Sequence, residues 1–204
     1  MRSLGPVLVL ASLCTACVGA ALRSNEAPPE QYRLEAPAAV PGGPVLQLAI
    51  AVARPRAPSS LDTDRIAVTT PRNGFDYLAG ARWADPAPQM LQQLLVVTLA
   101  GDGHFATAVA APSRVPPDLL LDVELRSFEA AYAQVDAPPT VVVEFEANLV
   151  DARKGLRMAS FRSTASVPAA SNDRTAVVAA FEQAAGQAVR DAATRVAAAA
   201  KGTP

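Results

Sequence analysis

Two spacings of apolar and polar residues account for most of the chain. Leu119, Leu121, Val123 and Leu125 alternate with Leu120, Asp122, Glu124 and Arg126. Val141, Val143, Phe145, Ala147 and Leu149 alternate in the same way with Val142, Glu144, Glu146 and Asn148. A period of two with one wet side predicts strands covered on a single face. Asp151-Ala152-Arg153-Lys154-Gly155 turns the chain into a third strand, Leu156 to Val167, and Pro138-Pro139 interrupts the first connection. Sequential strands with turn signals between them predict an antiparallel meander. Helical spacing then takes over. Ser171 or Asn172 can cap a helix running to about Ala199, with Val177, Phe181, Ala184, Ala185, Ala188, Ala192 and Val196 as its apolar stripe. Glu182, Arg190, Asp191 and Arg195 face away from it.

The first half carries the same two periods over shorter runs. Tyr32-Arg33-Leu34 is a strand-like island, and Pro41-Gly42-Gly43-Pro44 is turn punctuation. Val45 to Val52 is apolar on both faces, as in a central strand covered on both sides. Arg54 to Ser60 is Pro-rich and reads as a loop, and Asp64 to Thr69 is a shorter strand. Asn73-Gly74 is the strongest hairpin signal, predicted to fold that strand against the one carrying Phe75, Tyr77 and Ala79. After Trp83, Asp85 is the predicted N-cap and Pro86 the first residue of a helix whose apolar face is Met90, Leu91, Leu94, Leu95, Thr98 and Leu99. Gln89, Gln92 and Gln93 fall outside that face, and Gly101-Asp102-Gly103 stops the helix.

Length and charge narrow the class. The 204 residues suit one domain with appendages, and 18 prolines call for stiff connections. A formal net charge of -1 without a basic block argues against nucleic acid as a partner. The 2 cysteines, Cys14 and Cys17, lie near the N-terminus, so the rest of the chain has no disulfide framework and no thiolate metal site.

The N-terminus reads as an address. Met1-Arg2 supplies positive charge, Leu4 to Leu13 is apolar, and small residues precede Cys17. A plain secretory cut after Ala20 is one reading. The other is a lipobox, Leu13-Cys14-Thr15-Ala16-Cys17, in which Cys17 becomes acylated; Cys14 stands where the usual box has Leu. A Cys-x-x-Cys redox pair inside a signal peptide has little to recommend it. Lipidation divides the chain into a signal peptide over residues 1–16, a tether over 17–30 and a single folded domain over 31–204. Val18 stands where Asp commonly marks retention in the inner membrane, which favours the outer membrane of a Gram-negative envelope.

Candidate chemistry is sparse. His104 is the sole histidine, too little for a His-based metal site or a Ser-His-Asp triad. Asp122 with Glu124, and Glu144 with Glu146, could form a glycosidase pair but read first as a solvated strand face. No phosphate loop or nucleophile elbow occurs, so the expectation is no enzyme, no catalytic residue, no metal and no cofactor beyond a lipid on Cys17. Trp83, Tyr77 and Phe75 allow two readings: a plug between strand and helix, or an exposed aromatic patch that docks a partner or an acyl chain.

The order of parts resembles the ABC-type transport auxiliary lipoprotein family, which includes the lipoprotein of the paraquat-inducible intermembrane transport system. The residues carrying it are Cys17, Tyr32-Arg33-Leu34, Asp64-Arg65-Ile66 and above all Tyr77-Leu78-Ala79-Gly80-Ala81-Arg82-Trp83-Ala84-Asp85-Pro86. Asp118 to Val123 with Phe128, and Ala147-Asn148-Leu149-Val150-Asp151, extend it. The resemblance implies a periplasmic α/β domain of the α+β type, similar to the TolB N-terminal fold: a mixed sheet with an antiparallel C-terminal meander and two helices packed on it. It also implies a non-enzymatic adaptor working with an ABC permease, its ATPase and an MCE-domain protein to move lipids or other hydrophobic molecules across the envelope. Phospholipid is then a candidate ligand, and Cys17 the only residue given a chemical role. An assembly lipoprotein, either a secretion pilot or a cell-wall synthase activator, is the rival reading.

Overall fold

A computed structural model describes residues 28–40, 45–134 and 136–202. The turn expected at Pro41 to Pro44 lies outside the described residues, as do Cys14 and Cys17. The elements are β1 (Glu30–Tyr32), β2 (Leu46–Val52), β3 (Arg65–Thr70), β4 (Gly74–Trp83), α1 (Ala87–Gly101), β5 (Phe105–Ala110), β6 (Leu119–Ala131), β7 (Thr140–Asp151), β8 (Leu156–Pro168) and α2 (Arg174–Ala200).

All the strands join one mixed sheet, and its form follows from the length of β6. On one side β6 pairs antiparallel with β7, and β7 with β8, giving the expected meander. On the other side two shorter parallel strands share β6. β2 lies against its start, with Ile50 opposite Leu119 and Val52 opposite Leu121, and β3 lies against its end, with Ala67 opposite Glu129 and Thr69 opposite Ala131. β5 extends the sheet beyond β2, while β4 and then β1 extend it beyond β3.

The Pro-rich segment, expected to be a plain loop, closes the gap between β2 and β3. The Arg56 N–H donates to the Val123 carbonyl at 2.9 Å, and the Leu125 N–H donates to the Arg56 carbonyl at 2.8 Å. Pro55 and Pro58 have no N–H to offer, so one non-proline residue between them completes the ladder.

Both helices cover the same face. α1 packs on β2 and β5, α2 on β7 and β8, and the helices touch each other. Every residue of the two predicted stripes is buried. The alternating positions of β6 and β7 point into this core, where Leu121, Val123, Leu125, Val143 and Phe145 are fully enclosed.

Four local expectations need correction. The β3–β4 connection is Pro71–Asn73 rather than a two-residue Asn73-Gly74 turn; Thr70 pairs with Gly74, and the left-handed residues are Arg72 (φ 68) and Asn73 (φ 60). α1 begins at Ala87 with Pro86 as its cap residue, because the Ala87 N–H is held by the Thr63 carbonyl at 3.1 Å. Asp85 instead accepts from the Gln89 amide at 3.1 Å. Gln92 is buried: its amide donates to the carbonyls of Val52 at 2.9 Å and Ala111 at 3.3 Å, where β2 and β5 end. α2 is capped by Asp173, whose carboxylate accepts from the Ala176 N–H at 2.9 Å, while Ser171 hydrogen-bonds to Asp173.

Trp83 ends β4 inside the core, 1% exposed. Its ring meets Phe181 edge-on with centroids 5.1 Å apart and Phe128 at 5.8 Å, tying β4 to α2 and β6. Edge-to-face packing suits the ring quadrupoles.

Trp83→Ala is expected to cost about 3–5 kcal/mol in urea unfolding; a loss below about 1 kcal/mol would contradict the enclosure. Asp173→Ala is expected to cost about 1 kcal/mol and Asn172→Ala close to nothing. Equal costs would place the cap elsewhere.

Candidate functional site

The sheet face away from the helices carries the paired carboxylates of β6 and β7 together with Phe75 and Tyr77. Its residues are the alternate positions of β6, β7 and β8, continued across β3 and β4 by register. One row runs Tyr77, Ala67, Glu129, Val142, Ser166, and the next runs Phe75, Thr69, Ala131, Thr140, Pro168. The intervening row, Val68, Ala130 and Val141, is buried under the helices.

Towards the start of β6 this face is a lattice of charge. Arg56 reaches Asp122 at 3.0 Å and Glu124 at 4.0 Å. Arg126 bridges Glu124 at 2.6 Å and Glu146 at 3.2 Å, while Arg162 reaches Glu146 at 2.7 Å and Glu144 at 3.6 Å. Glu124 and Glu146 stand directly opposite across β6 and β7, a pairing that like charges disfavour. Arg126, at an irregularity in the β6–β7 register, relieves it by binding both. Hydrogen bonds from Arg162 and then Arg126 hold the Glu146 carboxyl below the usual range. A glycosidase acid needs the opposite, a carboxyl raised far enough to keep its proton at working pH. These carboxylates act as ion-pair acceptors.

Beyond the lattice the face changes character. Phe75 is 44% exposed and meets Tyr77 edge-on at 5.3 Å. The Arg65 guanidinium lies 3.6 Å over the Tyr77 ring, and the Tyr77 hydroxyl donates to the Ser60 carbonyl at 3.2 Å. In the same row as Tyr77 sits Glu129, whose carboxyl is pushed up by burial and which has no ion-pair partner among the described residues. The structure therefore divides the aromatic set. Phe75 and Tyr77 share the open face, whereas Trp83 lies in the core at the other end of β4.

His104 lies just before β5. Its carbonyl accepts from the Leu46 N–H at 2.7 Å, and its buried Nδ1 has no hydrogen-bond partner among the described residues. Among the described residues no three His, Cys, Asp or Glu side chains gather as a metal cluster would require. Asp191, expected to face away from the α2 stripe, turns back to accept from the buried Ser163 hydroxyl at 2.6 Å. Burial works to raise its carboxyl, but hydrogen bonds from Arg195 and Ser163 prevail and hold it low. A groove beside α2 is lined by Glu35, Pro37, Glu182, Gln183 and Arg190, a polar set poorly suited to an acyl chain.

Of the residues on this face, the sequence placed Arg126 there but not Arg56, Arg65, Glu129 or Arg162. The arginines were legible in part: Arg126 and Arg162 fall on the wet positions of strands whose acidic residues were already evident. Arg56 and Arg65 reach the face through pairings that strand periodicity does not encode.

Comparison with known proteins accords with this architecture. The structure resembles that of protein XCC0632 from Xanthomonas campestris, with a TM-score of 0.77 and 27% identity, covering 84% of this chain and 97% of that one. It also resembles an uncharacterized protein (TM-score 0.65, 18% identity, covering 83% and 99%) and, more distantly, a hypothetical protein from Chlamydia trachomatis (TM-score 0.51, 10% identity, covering 74% and 96%). These last two likenesses are of fold alone. A search of curated proteins finds no match. The model of the family described as ABC-type transport auxiliary lipoprotein component matches residues 32–193, from the end of β1 well into α2. The chain belongs to that family of ABC-type transport auxiliary lipoproteins.

Proposed function

We propose that the protein is a membrane-anchored, non-enzymatic adaptor of an MCE-associated ABC transport system that moves lipids or other hydrophobic molecules between membranes. The observation that carries this reading is the family match, which takes in nearly the whole folded domain. The open sheet face supports it. Paired carboxylates, a stacked arginine and a half-exposed Phe75 make a surface for recognition.

The mechanism is positional. Several acyl chains on Cys17, each contributing about 0.8 kcal/mol per buried CH₂, fix the chain to one membrane. The segment between Cys17 and β1 gives the domain reach, and Val18 in place of Asp directs it to the periplasmic face of the outer membrane. Phe75 and Tyr77 grip the MCE-domain partner, Trp83 anchors the far end of β4 in the core, and the permease and ATPase supply the work. Phospholipid is cargo handled by that partner.

A photoreactive residue at Phe75 is expected to crosslink to a transporter component in intact cells, and at Glu182 on α2 to give no such product. Crosslinks from Phe75 solely to secretion or cell-wall proteins would overturn the transport reading. Labelled palmitate is expected to enter the wild-type chain and not Cys17→Ser. Equal incorporation would remove Cys17 as the anchor.

A further inference from the structure

At the end of the sheet where β6 starts, two chain connections protrude side by side. One is the β5–β6 loop, residues 111–118, and the other is the β7–β8 turn, residues 152–155. They are bound together: the Ala152 N–H donates to the Asp118 carbonyl at 2.8 Å, and the Arg153 guanidinium reaches the Asp118 carboxylate at 2.5 Å. The loop carries the exposed aliphatic Val115, 48% exposed, and β8 opens directly after the turn with Leu156, 61% exposed. Each also carries basic residues beside it: Arg114 on the loop, Arg153 and Lys154 on the turn, and Arg157 just past it, all exposed.

Local structure fixes these tips. Pro112, Pro116 and Pro117 stiffen the loop, and the Val115 N–H donates to the Ser113 hydroxyl at 3.1 Å. In the turn, Asp151 accepts from the N–H groups of Arg153 and Lys154 at 3.0 and 2.9 Å, and Gly155 takes φ 66, which carries the chain out to Leu156. The two local carboxylates are occupied from within, Asp118 by Ala49 N–H and Arg153, and Asp151 by the turn it organises. Arg114 and Arg157 have no ion-pair partner among the described residues. Four cations against two carboxylates leave this end positive on a chain whose net charge is -1.

We infer that this end of the domain is a membrane-docking surface, with Val115 and Leu156 entering the headgroup boundary of an anionic phospholipid bilayer and Arg114, Arg153, Lys154 and Arg157 meeting its phosphates. Exposed aliphatic side chains flanked by cations suit a surface that yields to them, and basic residues near an anionic leaflet each add to the attraction. Aromatic side chains for stacking are absent from both tips, so a nucleic acid fits poorly. The inference does not depend on acylation or on the transport partner; it concerns a second contact with the membrane, made by the domain itself.

The test uses the full chain with Cys14→Ser and Cys17→Ser, so that an environment-sensitive fluorophore can be placed through a single new cysteine at Leu156→Cys. Vesicles of phosphatidylcholine with phosphatidylglycerol are expected to shift its emission to the blue, and phosphatidylcholine alone to leave it unchanged. The same label at Phe75→Cys, on the opposite end, is expected not to respond. Adding Arg153→Gln and Lys154→Gln is expected to weaken the response roughly tenfold or more, as is raising the salt. No shift at Leu156→Cys, an equal shift at Phe75→Cys, or a response indifferent to lipid charge would overturn the inference.

Discussion

The hydrogen-bonding demand of β6 organises the rest of the fold. A strand of 13 residues in the middle of a sheet presents backbone donors and acceptors along both edges, and burying them without partners is costly. β7 satisfies one edge over its length. The other edge has to be shared by β2 and β3, which leaves a break that Arg56 fills from a proline-flanked segment. From this division follow the forked sheet and the separate outer strands β5 and β4.

Periodicity made the meander and both helix stripes legible, because each belongs to an element long enough to repeat its signal several times. Three-residue β1 is too short to carry a period, and its place beside β4 comes from long-range pairing. Gln92 was misplaced for a different reason. An amide is polar by any scale, yet beside the carbonyls where β2 and β5 end the buried position is the one that satisfies it. Both helix starts were off by a residue or two, where several capping residues stand in a row and tertiary hydrogen bonds choose among them. On the candidate site, the acidic residues of the wet face were evident from spacing. Their neutralisation by Arg56 was not, since the arginine arrives from 66 residues away in sequence relative to Asp122.

The two faces of the sheet divide the protein's work. Beneath the helices, aliphatic and aromatic packing sets the stability of the domain. The open face carries groups whose interactions are exposed and individually weak, so they add little to folding. Substitution there is expected to leave the fold intact. This separation suits an auxiliary component, which has to be a dependable scaffold and a specific surface together.

Enclosure of the chain's sole tryptophan between Phe128 and Phe181 also decides what light can report about this molecule. Indole emission from the native protein comes from a dry, apolar site near the centre of the domain. It is a clean optical signal for loss of the core, yet it is insulated from events on the open face and at the loop tips. Contacts made at those surfaces stay dark to intrinsic tryptophan fluorescence, and a reporter has to be built where the contact occurs.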